Sequence, residues 1–353
     1  MPCLEAQATS SMIEPMEPVA EPAAEEPTAN RVEVGVVPAM GYDSNTGFGI
    51  GVITNIAGLS ADYDPYEWRI VGLAFLTMKE GPNGGIEFPL HDDAILLDVP
   101  NMFDDTMRLR MKLGFQKLST SGYYGIGNAA VRDDLRVALN GRYHQYDWIH
   151  PHFYAQATFA LAHGAFGDLD LLVGVSGSYD QISLYPGSLL GQDLEGRNGA
   201  YVRDLLVGTQ PHGEAGGMVG LLWDTRDYEV TPSAGMFHEV SLRAGAGIGE
   251  AYGYAGVNVT TRFYLPLWER HLVLAFRGMA DMLFGRPPFY EMARHGGLFA
   301  NDATGGSRSV RGVLAQQTHG KIKVLTNLEL RSQLFSFEVF EERFNFGAVL
   351  FFD

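Results

Sequence analysis

Residues 106–118 read TMRLRMKLGFQKL, and their side chains alternate between apolar and polar. Alternation of this kind puts the two sets on opposite faces of a β-strand, because successive residues of a strand point in opposite directions. An α-helix would scatter both sets around its surface. The stretch therefore predicts a strand, and one longer than the ~5–6 residues common in soluble sheets.

The same period recurs in residues 237–244, 257–267 and 321–331. A soluble sandwich can be built from short strands. A membrane-spanning barrel instead needs ~9–11 residues per tilted strand, with apolar side chains toward lipid and polar side chains toward the lumen. Repeated long alternation predicts an all-β fold, a transmembrane antiparallel up-and-down β-barrel with about 13–14 strands in residues 31–353.

Composition narrows the possible functions. A net charge of -17 argues against a nucleic-acid partner, since binding to phosphates requires a basic surface. The single cysteine, Cys3, leaves no disulfide framework and no thiolate cluster. No window approaches the ~18 consecutive apolar residues of a spanning helix. We predict no cofactor and no metal site.

Residues 1–30 contain five prolines and six glutamates but neither lysine nor arginine. Such a segment buries too little apolar surface to offset the entropy of ordering it, so we predict a disordered tail. The segment also lacks the basic and apolar regions of a signal peptide, although a barrel of this kind must be exported. We therefore expect either a signal peptide that has been removed or a misassigned start.

Two connections between the predicted strands are long. Residues 184–213 and 285–320 lack clear alternation, and loops of that length in a compact domain usually serve a function. Near predicted strand ends we expect an interfacial belt of aromatic side chains, made by Trp223, Tyr264, Trp268 and Phe284.

Several blocks resemble one protein family. Residues 305–313 read GGSRSVRGV, and their core Val310, Arg311, Gly312 and Val313 resembles the Val-Arg-Gly-aromatic motif on a long loop of BamA/TamA-like barrels. The turn motif formed by Asp224, Arg226, Asp227, Pro232 and Gly235 is similar to a second block. Residues 121–128, 327–331 and 351–353 resemble three more. In this order they identify residues 31–353 as a relative of the BamA/TamA-like outer-membrane superfamily, the bacterial surface antigen family.

The resemblance implies a 16-stranded barrel in the outer membrane of a Gram-negative bacterium. It implies that the long loop folds into the lumen, where Arg311 pairs with Glu329 and Asp353. The polar face of residues 321–331 independently places Glu329 toward the lumen. The implied function is membrane biogenesis, meaning protein insertion or translocation or lipid handling, with outer-membrane lipids and unfolded barrel proteins as partners. No catalysed reaction is implied.

This sequence departs from the family in three ways. Val313 stands where an aromatic residue is expected. The segment before Arg31 is too short for a periplasmic POTRA domain, so we expect client insertion to need added partners. The family pattern continues for about three strands beyond the block at Asp353, so we expect a fragment, or a barrel closed by a second copy or a partner chain.

Two other functions remain open. Lumen rows with Arg108, Arg110 and Arg243 could line a passive solute pore, although we expect these arginines to pair with lumen carboxylates. The barrel could also anchor a larger protein. Catalytic constellations are weak, because Asp224 and Asp227 fit a self-stabilised turn. Ser307 and Ser309 share a loop with His295 and His319 but lack a nucleophile motif.

Overall fold

The computed structural model describes residues 30–60, 63–81, 84–164, 167–229, 231–298, 304–306, 309–339 and 342–353. Three short helices occur among them: α1 (Asp134–Leu139), α2 (Leu189–Leu194) and α3 (Ala200–Leu205). A 3₁₀ turn spans Phe289–Ala293. The strands are β1 (Arg31–Asp43), β2 (Gly47–Ser60), β3 (Tyr63–Glu80), β4 (Ile86–Glu87), β5 (Leu90–Met102), β6 (Met107–Gly122), β7 (Gln145–Ala162), β8 (Asp168–Leu184), β9 (His212–Asp224), β10 (Gly235–Ile248), β11 (Gly253–Trp268), β12 (Leu272–Gly285), β13 (Ile322–Val339) and β14 (Glu342–Phe352).

All the strands belong to one antiparallel, up-and-down sheet. Each long strand pairs with the next long strand along the chain, and the two-residue β4 pairs only with β3. The order of pairing among the described residues begins at β1 and ends at β14. The predicted all-β barrel fold and its approximate number of strands are confirmed.

The distribution of side chains is the reverse of that in a soluble protein. Along β10, Val240 and Leu242 are each 52% exposed, whereas Glu239 and Ser241 are almost fully buried. Along β13, Val324 is exposed and Lys323 and Asn327 are buried. Exposed apolar side chains in regular rows form the outward band of a barrel, and the buried polar rows line its lumen.

The aromatic belt is only partly as predicted. Trp223, Trp268 and Phe284 lie at strand ends with exposed side chains. The prediction was wrong for Tyr264, which lies on the lumen face of β11 in the same phase as Arg262, with the Arg331 guanidinium 5.7 Å from its ring centre. Its position near a strand end suggested the belt, but its phase in the alternation decides its face.

The long connections all lie at one end of the sheet. Residues 123–144, 185–211 and 286–321 join β6 to β7, β8 to β9 and β12 to β13, and the alternate connections at the other end are short. We call these the long-loop end and the short-turn end. Bacterial barrels commonly have this asymmetry.

Side chains from the long loops and from the adjoining parts of β7, β8 and β12 form an apolar cluster, which we call the cap. It contains Tyr123, Tyr146, Trp148, Ile182, Leu190, Leu206, Leu283, Phe289, Tyr290 and Met292. Ser188 helps to order it, because its Oγ accepts a hydrogen bond from the Gly191 amide at the start of α2. The cap rests on the upper lumen wall of β7, β8 and β12.

None of the helices in the described ranges is long and apolar enough to cross a membrane. Residues 1–29, most of the predicted disordered tail, lie outside the described residues. The tail boundary and the expected loss of C-terminal strands stay predictions.

Replacing Leu242, in the middle of β10, with arginine is expected to destabilise the barrel in a bilayer by about 2–4 kcal/mol, because a guanidinium deep in lipid loses its water. The same change at Leu267, near the end of β11, should cost about 1 kcal/mol or less. Unfolding of the two variants by denaturant in liposomes compares these free energies. Equal losses would contradict a lipid-facing outward band.

Candidate functional site

The loop between β12 and β13 lies inside the sheet, and its first anchor is the 3₁₀ turn Phe289–Ala293. The Tyr290 hydroxyl lies 2.9 Å from Nε2 of His212 on β9. The Glu291 carboxylate accepts from Arg243 on β10 at 3.1 Å, and Arg243 also donates to both oxygens of Asp281 on β12 at 2.7 and 3.0 Å. Three strands of the lumen wall thus hold the start of the loop, β9 through a hydroxyl–imidazole contact and β10 and β12 through ion pairs.

Backbone amides make the next anchors. The Gly296 amide donates to Asp281 at 2.9 Å, and the Leu298 amide donates to Glu239 at 2.8 Å. The Leu298 side chain packs into a second apolar cluster with Leu172 and Phe237. Lumen carboxylates therefore act as acceptors for the loop backbone, which satisfies buried amides that no strand pairs.

Arg311 occupies the part of the loop that reaches β13 and the end of β14. Its Nε and Nη2 donate to the two oxygens of Asp353 at 2.8 and 2.7 Å, and its backbone amide adds a third bond at 2.8 Å. Its Nη1 lies 2.7 Å from Oε1 of Glu329. The structure thus brings Arg311 together with both carboxylates named from the sequence, and hydrogen bonds to Asp353 raise the pKa of Arg311.

Two further side chains complete this contact and were not singled out as partners of Arg311 from the sequence. The Phe351 ring lies under the Arg311 guanidinium, with its centre 3.7 Å from Cζ. Asn327 donates to Asp353 at 2.7 Å and to the Ser309 carbonyl at 2.6 Å, so it ties the wall to the loop. Strand phase offered a signal for both, because Phe351 on β14 pairs with Glu329, and Asn327 lies two residues before Glu329 on the same face of β13.

Glycines shape the tip of the loop. Gly305, Gly306 and Gly312 all have positive φ, at 100°, 83° and 87°. A Cβ on Gly305 would lie 2.1 Å from the Leu314 carbonyl oxygen, whereas one on Gly312 would meet no atom within 4 Å. Val310 is half-buried, and Val313, which stands at the position expected to be aromatic, is exposed. Ser307 and Arg308 lie outside the described residues.

The turn motif lies at the short-turn end, between β9 and β10. Asp224 accepts from the Arg226 backbone and side chain at 2.6–3.1 Å. Asp227 accepts from the amides of Tyr228, Ser233 and Ala234 and from the Ser233 hydroxyl. The carboxylates of Asp224 and Asp227 therefore belong to two separate hydrogen-bond networks, and both networks stabilise the turn.

Two further members of the motif shape the backbone. Gly235 has a φ of 96°, and a Cβ there would lie 2.2 Å from the Thr225 carbonyl oxygen. Pro232 is buried beside it. This close approach of two backbone segments explains why the motif needs glycine at its end.

The Omp85 superfamily domain matches residues 106–353, which is more than half of the chain. The chain belongs to the Omp85 superfamily. The family predicted from the Arg311 loop and its companion blocks is therefore confirmed.

Two solved structures are similar to this Omp85 chain. BamA from Haemophilus ducreyi lacking POTRA domains 1-3 shares 12% identity at a TM-score of 0.47, over 87% of this chain and 54% of that one. CdiB from Acinetobacter baumannii shares 10% identity at a TM-score of 0.43, over 86% of this chain and 52% of that one. The Omp85 chain spans about half the length of these structures. No curated protein matches it significantly.

The lumen of this Omp85 barrel contains a further buried network beneath the cap. Asp180 on β8 accepts from Trp148 and Ser178 at 2.9 and 2.6 Å and lies 2.7 Å from Nδ1 of His150. The guanidinium of Arg294, from the long loop, lies 4.5 Å from the Trp148 ring centre. The network ties the loop to β7 and β8, opposite the Arg311 contact.

His319 lies in the same loop and is fully buried. Its ring stacks on Phe289 and meets Tyr123 edge-on, and neither ring nitrogen has a hydrogen-bond partner among the described residues. Burial, reinforced by Lys323, lowers the pKa of His319 to about 3. The Omp85 loop therefore holds a neutral imidazole in an apolar site.

The other constellations do not assemble into a catalytic site within the described ranges. Ser309 exchanges hydrogen bonds with the Gly305 backbone, and His295 lies 3.2 Å from the Thr304 hydroxyl. No group of three or more His, Cys, Asp or Glu side chains in those ranges is placed to hold a metal ion. As expected, Arg243 pairs with a lumen carboxylate, while Arg108 and Arg110 bind Glu229 of a turn in addition to Asp98.

Replacing Arg311 with glutamine is expected to destabilise the loop by about 2–3 kcal/mol, because two carboxylates lose a charged donor. Arg331→Gln also removes a bond to Glu329 but from a more exposed side chain, so it should cost less than about 1 kcal/mol. Urea unfolding in detergent, with limited proteolysis of the loop, measures both. Equal costs would contradict a special role for Arg311 in holding the loop.

Gly305→Ala is expected to loosen the loop tip more than Gly312→Ala. Both changes impose a strained φ worth about 1–2 kcal/mol. Only at Gly305 would the new methyl group also collide with backbone. Hydrogen exchange of residues 304–314 should therefore rise more in Gly305→Ala, and the opposite ranking would show that the tip is packed differently.

Acidification is expected to weaken the cap through His319. An unfolded histidine binds a proton near pH 6.5, but the folded site does not until about pH 3, so stability falls as the pH drops below 6.5. Between pH 7 and pH 5 this amounts to about 2 kcal/mol. In His319→Phe that part of the loss should disappear from unfolding curves at the two pH values; an unchanged loss would place its origin elsewhere.

Proposed function

We propose that this barrel is an outer-membrane biogenesis factor of a Gram-negative bacterium that inserts or translocates polypeptides. Membership of the Omp85 superfamily supports a role of this kind. The observation that carries the proposal for this chain is the contact of Arg311 with Glu329 on β13 and with Asp353 just after β14. Because the long loop is bound to both β13 and β14, it controls the distance between these strands. That distance in turn sets the shape of this part of the lumen wall.

The proposed action is mechanical. The wall of β13 and β14 presents exposed aromatic side chains, including Phe335, Phe344 and Phe346, toward the surrounding lipid. A client polypeptide would pass into the membrane beside this wall, where the aromatic side chains pack against lipid. No reacting group takes part in this step. The proposed partners are outer-membrane lipids and unfolded barrel proteins, and a second copy or partner chain that completes the barrel stays a prediction.

The proposal is tested by depletion of the protein in its native host. We expect the abundance of outer-membrane barrel proteins to fall relative to inner-membrane proteins, and the protein itself to fractionate with outer membranes. Wild type and Arg331→Gln should restore the abundance, whereas Arg311→Gln at equal expression should not, because it releases the loop from both strands.

A passive pore predicts a different outcome. Depletion would then leave barrel proteins unchanged, and the purified chain in planar bilayers would show a steady single-channel conductance that survives Arg311→Gln. That pair of results would replace the proposed function with solute passage.

A further inference from the structure

Three arginines and a carboxylate meet on the lumen wall of β3, β5 and β6 at the short-turn end. Arg108 donates from Nε and Nη2 to the two oxygens of Asp98 at 2.9 and 2.6 Å. The guanidinium groups of Arg69 and Arg110 each lie 3.8 Å from an Asp98 oxygen. One carboxylate thus serves three cations, which leaves Arg108 and Arg110 able to bind a second one.

The second carboxylate comes from a distant part of the chain. Glu229 belongs to the turn between β9 and β10, and its two oxygens accept from Arg108 and Arg110 at 2.8 and 2.7 Å. In the sheet, β7 and β8 separate β6 from β9, so the turn folds inward across the inner faces of two strands. We call residues 225–229 and 231–234 the latch.

Contacts at its base hold the latch on the strands that it joins. Arg226 pairs with Asp224 and donates from Nη1 to the Glu229 carbonyl at 2.9 Å, and its guanidinium lies 4.9 Å from the ring centre of the buried Phe237. The base of the latch is therefore anchored on its own strands. Its contact with β6 is made by the Glu229 carboxylate.

The ion pairs of Glu229 with Arg108 and Arg110 are of a kind that another carboxylate can replace. The Glu229 side chain is 45% exposed, and ion pairs in such positions contribute little to stability. Burial alone would raise the pKa of Glu229, but Arg108 and Arg110 lower it below its usual value, so the group is a carboxylate at neutral pH. Without it, the guanidinium groups of Arg69, Arg108 and Arg110 would still share Asp98.

Space lies on the inner side of the latch. Ser176 on β8 belongs to the lumen row of Ser178 and Asp180, yet it is exposed. Lys112, two residues beyond Arg110 on the same face of β6, is half-buried rather than enclosed. A segment that enters from the short-turn end would meet the two arginines first and this space next.

We propose that Arg108 and Arg110 form a binding site for a carboxylate of an acidic peptide segment, and that Glu229 occupies it in the closed state. Two adjacent guanidinium groups bind the paired oxygens of a carboxylate well, as they do with Glu229. The natural occupant is itself a carboxylate on a peptide, which favours a peptide over other anions. An acidic segment therefore competes with Glu229, and its binding releases the latch. The site does not depend on the proposed biogenesis role.

Binding is tested with fluorescein-labelled hexaglutamate and the purified full chain in a zwitterionic detergent, measured by anisotropy. Glu229→Gln should bind the peptide about tenfold more tightly than wild type, because it removes both the competitor and one negative charge. Arg108→Gln and Arg110→Gln together in the Glu229→Gln background should abolish the gain. Asp105→Asn, in the neighbouring β5–β6 turn, controls for the loss of a negative charge at the same end.

Opening of the latch is tested in a protein that keeps Glu229. The result then does not depend on whether a Glu229 variant folds. With Cys3→Ser as background, Ser176→Cys provides a single lumen thiol. Hexaglutamate should accelerate its reaction with a water-soluble maleimide, and hexaserine should not.

Two results would overturn the proposal. One is equal affinity of wild type and Glu229→Gln for hexaglutamate. The other is tighter binding that persists when both arginines are replaced. If the ion pair is purely structural, wild type and Glu229→Gln should bind hexaglutamate equally well. Hexaglutamate should then also leave the rate of the maleimide reaction of Ser176→Cys unchanged.

Discussion

Burial of charge in the lumen is the constraint on which the rest of this structure depends. Strict alternation turns apolar side chains outward, so most charged residues of the strands point inward, where water is limited. Each of these groups needs a partner at hydrogen-bonding distance. Asp281 shows the result, because it is fully buried and accepts from Arg243, Lys323 and the Gly296 amide.

The long loop supplies much of what the wall lacks. It brings Glu291 to Arg243 and Arg311 to Asp353, and its amides bind Asp281 and Glu239. Buried ion pairs of this kind add little net stability, since the loss of hydration offsets much of the attraction. These ion pairs instead fix the position of the loop, because a misplaced loop would leave several buried charges without partners at once.

The two ends of the barrel are closed by different interactions. At the long-loop end, the cap is apolar, and the neutral ring of His319 stacks on Phe289 of the cap. At the short-turn end, the Glu229 latch is held by exposed ion pairs. An apolar cap resists salt and changes little with anions, whereas an exposed ion pair can be screened or displaced. The short-turn end is therefore the end that a charged partner can open.

The amino-acid sequence by itself determined the strands and their faces, because alternation is a local property that any ten consecutive residues display. It also located two of the three long connections but not the one at residues 123–144, and the family motif named Arg311 with Glu329 and Asp353. For Tyr264, its position near a strand end led to a wrong prediction of the aromatic belt. The phase of the alternation along β11 places its side chain on the lumen face.

Only the tertiary structure decided which distant groups meet. Glu229 contacts Arg108 across a sequence separation of 121 residues, and Arg294 reaches the ring of Trp148 on the opposite wall. No local pattern encodes these pairs, because they depend on how the sheet curves and on which way a loop or turn folds across it. Curvature and loop path arise from all the strands together, so the partners of lumen charges are a property of the whole barrel.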